Sequence, residues 1–215
     1  MGRKRWAMKN VDDLIDTAGE LAATGMTKGE IADELNVSRE TASWLVESSD
    51  ETTVAKSTPP DLQDIHVDWS TVGRDGSRLW HVAAAMADLL ERHGEAVDLT
   101  VGIAQAGVPL ATFIARQLET DIGTYTPAKH QWEEGDVANL GGSFSHNFAD
   151  IREREAYIVD DTITSGTTME ETVEAVKVEG GTPVAAVVLA DKQGIDEIDG
   201  VPVYSLVDVL RVDER

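Results

Sequence analysis

From Arg74 onward the chain alternates between helix-like and strand-like segments until Leu206. Leu79, Val82, Ala83, Met86, Leu89 and Leu90 recur at three- and four-residue spacing, which predicts a helix over "RDGSRLWHVAAAMADLLERHG". "VDLTVGI" then predicts a strand, "VPLATFIARQL" a helix and "DIGTY" a strand. A long polar loop runs from Pro127 to about His146. It is followed by a strand over 156–160, a helix over 168–179, a strand over 183–190, the strand "VPVYSL" and a short helical piece. Apolar strands separated by helices are satisfied by a parallel sheet with helices on its faces, an α/β architecture. Such sheets take ligands at the carboxyl ends of their strands.

At that end of strand 156–160 stand two adjacent acids, Asp160 and Asp161, followed by Thr164, Ser165, Gly166, Thr167 and Thr168 at the start of a helix. Carboxylates there can accept hydrogen bonds from ribose hydroxyls, or hold Mg²⁺ through its water shell. The next turn exposes backbone N–H groups where the helix dipole favours an anion. The four hydroxyls add donors, and Gly166 lets the backbone approach a phosphate closely. Two surface acids or a capped helix alone would be unremarkable. Together they describe a pocket for a phosphorylated sugar.

Residues 1–52 read as an all-α domain. Val11, Leu14, Ile15, Ala18, Leu21 and Ala22 mark an amphipathic helix that stops at Gly25. In "MTKGEIADELNVSRETASWLV", Thr27 can cap a first helix whose inner side is Ile31, Ala32 and Leu35. Asn36 suits a left-handed turn, Val37 fills the corner, and Ser38 can cap a second helix with Ala42 and Leu45 inward. That leaves Arg39, Glu40, Ser43, Trp44 and Glu47 outward, the face a helix-turn-helix lays in the major groove of double-stranded promoter DNA. Ser38, Arg39, Glu40 and Ser43 are the expected groove contacts. Lys28 and the basic arm Arg3, Lys4 and Arg5 are the expected phosphate contacts, and Trp44 is left unassigned. An ordinary helical hairpin used for dimerisation is the competing reading. "SSDETTVAKSTPPD" is polar and ends in two prolines, so a linker is placed at 53–60 and a second domain at 61–215.

Forty acids against 18 bases give the chain a net charge of −22. Such an excess repels nucleic acid and strains the compact state in dilute buffer. The acids are spread along all 215 residues, which fits a salt-saturated cytoplasm, where the screening length falls to about 3 Å at 1 M. No stretch approaches the roughly 18 to 20 apolar residues of a membrane span. The basic N-terminus has no apolar segment behind it, so no secretion signal is read. Without cysteine, disulfides and thiolate metal sites are excluded. A cytoplasmic protein is the default.

The strand, acid pair and Thr/Ser/Gly turn resemble the diphosphoribosyl-binding signature of the type I phosphoribosyltransferases, most closely the orotate enzymes. The resemblance covers most of 61–215 and implies their fold, preceded here by a small, winged helix-turn-helix domain. It implies that "VGIAQAGVPLA" holds the pyrophosphate loop at Ala104, Gln105, Ala106 and Gly107. It also implies that the long loop is a lid beginning at Lys129 and His130, that the domain dimerises, and that a Mg²⁺ accompanies a phosphoribosyl ligand. Two departures matter. Ala106 stands where active orotate enzymes carry a lysine, and the lid has Lys129 as its one lysine among Glu133, Glu134, Asp136 and, just beyond, Asp150. Neutralising a pyrophosphate leaving group needs cations, so the balance points to binding without turnover and no required cofactor.

Taken whole, the chain resembles haloarchaeal regulators of sugar catabolism. That implies a homodimer on promoter DNA, controlling glycolytic and gluconeogenic genes in response to a phosphorylated sugar or nucleotide effector. An active orotate or purine phosphoribosyltransferase using phosphoribosyl pyrophosphate and Mg²⁺ is the alternative, and a nucleotide-binding scaffold without a DNA role is a third.

Overall fold

The computed structural model describes residues 10–49, 64–93, 95–130 and 141–210. The chain divides into two compact units, Met1–Val67 and Asp68–Arg215.

In the first unit, α1 (Val11–Ala23), α2 (Lys28–Glu34) and α3 (Arg39–Ser49) enclose one small core. Asn10 with Asp13 and Thr27 with Glu30 form reciprocal capping boxes that satisfy the first N–H groups of α1 and α2. Gly25 takes φ +93° and ends the first helical segment, and Asn36 takes φ +51° in the turn between α2 and α3. Leu14, Ala18, Ile31, Ala32, Leu35, Val37, Ala42 and Leu45 are the buried cluster. Val11, read as part of the inner face, is 54% exposed in the first turn of α1, where the helix runs past that cluster. No strand occurs among the described residues of this unit, so the expected wing is not among them. The linker 53–60 lies outside the described residues.

The unit boundary falls later than residue 61. Asp64 accepts from Ser38 N–H at 2.5 Å and from the Thr41 hydroxyl at 2.9 Å, and the Val67 carbonyl accepts from Asn36 Nδ2 at 3.1 Å. Residues 64–67 therefore fold with the turn of the first unit. Composition marks a proline-rich joint but not the side on which the next residues pack.

The second unit begins with α4 (Ser70–Gly73) and α5 (Gly76–His93). Its central strands are β1 (Leu99–Ile103), β2 (Asp121–Thr126), β4 (Glu155–Ile163), β5 (Thr182–Asp191) and β7 (Val201–Asp208), all parallel. Two-residue antiparallel strands, β3 (Ser143–Phe144) and β6 (Glu197–Ile198), close the edges, giving the order β3-β2-β1-β4-β5-β7-β6. Both faces are covered. Tyr157, Val159, Ala185, Val187 and Leu189 pack with α5 and α6 (Gly107–Leu118). Ile158, Ala186 and Val188 pack with Met169, Val173 and Val176 of α7 (Thr167–Val178). Burial on both sides is why these strands read as continuous apolar runs.

Three expectations shift. The strand foreseen over 156–160 extends to Ile163, so both acids lie inside the ladder, Asp160 opposite Val188. The last strand reaches Asp208, and the helical piece expected after it is absent from the described residues 209–210. β3 and β6 were not foreseen, because two residues carry no periodicity.

Candidate functional site

β1 and β4 run parallel, with Gly102 of β1 opposite Val159, so the loop before α6 lies beside the acid pair of β4, which continues to Ile163 and the turn before α7. Gly107 opens α6 against β4. A Cβ there would overlap the Val159 carbonyl oxygen and lie 3.2 Å from Asp160 Oδ1. The close approach thus depends on glycine and sets the Ala104–Gly107 loop beside the acid pair. The Ala104–Gln105 peptide in that loop is cis.

The two acids differ. Asp160 is partly exposed, and its Oδ1 accepts from the Asp161 N–H at 2.9 Å. Asp161 is only 8% exposed, and its Oδ2 accepts from Trp69 Nε1 at 2.8 Å. Among the described residues no group of three or more His, Asp or Glu is arranged to hold a metal. Two carboxylates suit a Mg²⁺ that keeps most of its waters and arrives with a phosphate-bearing ligand.

After β4, Thr164 and Ser165 lead to Gly166 at φ +87°, the residue that caps α7. Neither α6 nor α7 has a side-chain cap, in contrast to the boxed starts of α1 and α2. The first turn of α7 therefore starts without a side-chain cap, at the positive end of the helix dipole. Gln193 Nε2 donates to the Thr164 carbonyl, and Ile195 stands 2.9 Å from where a Gly166 Cβ would be. The segment 192–195 braces the turn from outside and is itself tied to the buried Asp191 carboxylate through the Gln193 and Ile195 N–H groups.

Lys129 and His130 fall in a short 3-10 turn, Ala128–His130. Lys129 Nζ donates to Thr168 Oγ1 at 2.7 Å, so its charge sits over the turn of α7. Between Glu95 and Ala115 there is no lysine or arginine, so the Ala104–Gly107 loop contributes no cation of its own. Glu171, one turn inside α7, holds both ends of the long loop. Its Oε1 accepts from Ala128 N–H at 2.8 Å, Gly142 N–H at 3.1 Å and the Tyr125 hydroxyl at 2.8 Å. Burial, reinforced by that carboxylate, pushes the Tyr125 hydroxyl far above its ordinary value, so it remains a donor. Residues 131–140, with Glu133, Glu134 and Asp136, lie outside the described residues.

In the first unit, Ser38 caps α3 by accepting from Thr41 N–H at 3.2 Å. Arg39 and Glu40 are exposed and Ser43 is half-buried. Lys28 pairs with Glu47 at 3.3 Å. Surface pairs of this kind contribute about 0–1 kcal/mol, so a DNA phosphate can compete for the lysine. Trp44 is half-buried against the cluster, with its Nε1 buried. Arg3, Lys4 and Arg5 lie outside the described residues. Sequence reasoning missed Asp64, Trp69 and Glu171. Their partners are 23 to 92 residues away, and no local pattern announces such contacts.

A helix-turn-helix followed by an α/β unit with this acid pair and turn defines a class. Residues 68–205 match the phosphoribosyl transferase domain family, and residues 2–41 match the helix-turn-helix domain of resolvase. An adenine phosphoribosyltransferase from Thermoanaerobacter pseudethanolicus covers 68% of this chain, and is itself 88% covered, at TM-score 0.54 and 18% identity. An orotate phosphoribosyltransferase from Mycobacterium tuberculosis covers 67%, and is 80% covered, at 0.52 and 17%. Identities this low establish the fold alone. Closer relatives match over nearly the whole of this chain. The transcriptional regulator GfcR of Halorubrum lacusprofundi is 65% identical over 97% of this chain and 100% of its own. That of Haloquadratum walsbyi is 64% identical over 96% and 95%, and that of Methanocella arvoryzae 44% identical over 96% and 100%. The chain belongs to this family of transcriptional regulators. Among the described residues no helix is long and apolar enough to cross a membrane.

Proposed function

We propose that the chain is a metabolite-responsive regulator whose second unit binds a phosphorylated sugar or nucleotide without turning it over. The observation that carries this is the uneven placement of positive charge. Lys129 stands 2.7 Å from Thr168 at the phosphate-type turn, while the loop beside Asp160 has neither lysine nor arginine. This supports donors for one phosphate at the turn, and the loop itself brings no cation to neutralise a departing pyrophosphate. Asp160 and Asp161 serve as acceptors for sugar hydroxyls and, through water, as the groups that would hold a Mg²⁺ carried in by the ligand. The first unit binds promoter DNA through Ser38, Arg39, Glu40 and Ser43, as one half of a homodimer on paired half-sites. The genes controlled are those of central sugar catabolism, whose intermediates have the chemistry such a cradle takes.

The test is a thermal-shift series in molar KCl with ribose 5-phosphate, nucleoside monophosphates and phosphoribosyl pyrophosphate, run beside a turnover assay with orotate and purine bases plus Mg²⁺. Stabilisation by at least one phosphorylated ligand, lost in Asp160→Asn, without product formation, is the expected result. Product formation abolished by Asp160→Asn would instead make the chain a working phosphoribosyltransferase.

A further inference from the structure

Asp161 is held by a donor from its own chain. The indole N–H of Trp69 meets its Oδ2 at 2.8 Å, a charge-assisted bond. The placement of Trp69 is built rather than incidental. Its ring packs on the cluster containing Leu79, Ala83 and Val159, and a Cβ at Gly73 would come within 2.6 Å of it. An indole N–H on a carboxylate can be replaced by a neutral donor or a cation. A sugar hydroxyl qualifies, whereas a phosphate would set one anion against another. Asp161 is thus the place where a ligand hydroxyl and an internal donor compete.

The residues just before Trp69 are held as well, within the first unit. Asp64 is bonded to Ser38 N–H and Thr41 Oγ1 at the start of α3, His66 Nδ1 meets the Leu35 carbonyl, and the Val67 carbonyl accepts from Asn36 Nδ2. Asp68 alone separates the last of these from Trp69. Six consecutive residues therefore carry bonds to the start of the recognition helix at one end and to a sugar-binding acid at the other.

We propose that Trp69 is a residue of the effector site, displaced from Asp161 by a hydroxyl of the bound sugar, and that the segment Asp64–Trp69 transmits this exchange to α3. The proposal rests on the effector reading above. Oδ2 already accepts from both Trp69 and the Thr162 hydroxyl, and Asp161 is only 8% exposed, so a sugar hydroxyl gains access to it by displacing the indole and the ligand binds the released state better. That differential affinity is what any coupling requires.

The full chain in molar KCl, with its own promoter DNA, provides the test. Trp69→Phe keeps a ring in the Gly73 recess and removes the N–H. Without ligand it should bind DNA with an affinity shifted about fivefold or more from wild type. The shift should follow the direction in which ribose 5-phosphate shifts wild type, and ribose 5-phosphate should move the variant no further. Asp64→Asn, at the other end, should leave the thermal shift with ribose 5-phosphate unchanged while shrinking the DNA response. Wild-type DNA affinity and response in both variants would overturn the proposal. So would a shift reproduced by Mg²⁺ alone, which would give Asp161 to a cation. If ribose 5-phosphate fails to shift wild type at all, the proposed ligand class fails. The ligand-free comparison of Trp69→Phe with wild type still decides the role of the segment.

Discussion

Gly107 shows how much one missing side chain can position. It lets the start of α6 press against Val159 and Asp160, so a methyl group there must displace backbone rather than a flexible tip. Gly107→Ala should cost about 1–3 kcal/mol of stability, the range for forcing atoms into a filled space, and should weaken ribose 5-phosphate binding. Chemical denaturation and the thermal-shift series check the two effects separately. Tyr125 carries a pH signature. Burial, then its bond to Glu171, raises its hydroxyl above the ordinary value. Because the folded state holds this proton more tightly, the contribution to stability is complete below the unfolded value of about 10 and is lost as pH rises beyond it. The melting temperature of the wild type should fall above about pH 10. Tyr125→Phe should show a smaller alkaline decline, with a remainder from Tyr157, whose hydroxyl burial also raises.

At the level of elements, α7 does two jobs with one turn between them. Its first residues build the donor-lined turn, and Glu171 ties the base of the long loop through Tyr125, Ala128 and Gly142. A ligand at the turn and the loop base thus share a rigid element. Glu171→Ala leaves three donors without their acceptor and should destabilise by roughly 2–3 kcal/mol, given about 1–3 kcal/mol for an orphaned buried group. Glu171→Gln keeps a carbonyl acceptor and should lose less, as read by denaturation in molar KCl. The helices of the first unit carry acids in their first turns and no base in their last. The dipole is therefore complemented at one end only. Arg39→Ala on α3 should weaken promoter binding measured by gel shift, since it is the exposed cation that opens that helix.

For the whole molecule, charge governs behaviour in solution. A net −22 means that self-repulsion grows as screening weakens. The protein should unfold in dilute buffer and gain melting temperature steadily as KCl rises to molar levels, which circular dichroism would follow. Equal stability at low and high salt would contradict this. The first 50 residues, with six bases and ten acids, are themselves acidic. DNA affinity should therefore fall less steeply with salt than for basic binders, whose slope follows the counterions they release.

Much of this was legible in the residues. Alternating strands and helices specified a parallel sheet because strands buried on both faces must be apolar throughout. Asn36 and the capping residues marked the helix-turn-helix because their backbone demands are local. The acid pair at the end of a strand and the Thr/Ser/Gly turn opening a helix were legible for the same reason. What folding alone decided was long-range. Asp161 was taken by Trp69, Glu171 gathered both ends of a loop, residues 64–67 joined the first unit, and Trp44 became half-buried against its cluster. Period and propensity describe neighbours within a turn or a strand. A hydrogen bond between residues 92 apart depends on how packed elements meet, and the order of letters carries no signal for it.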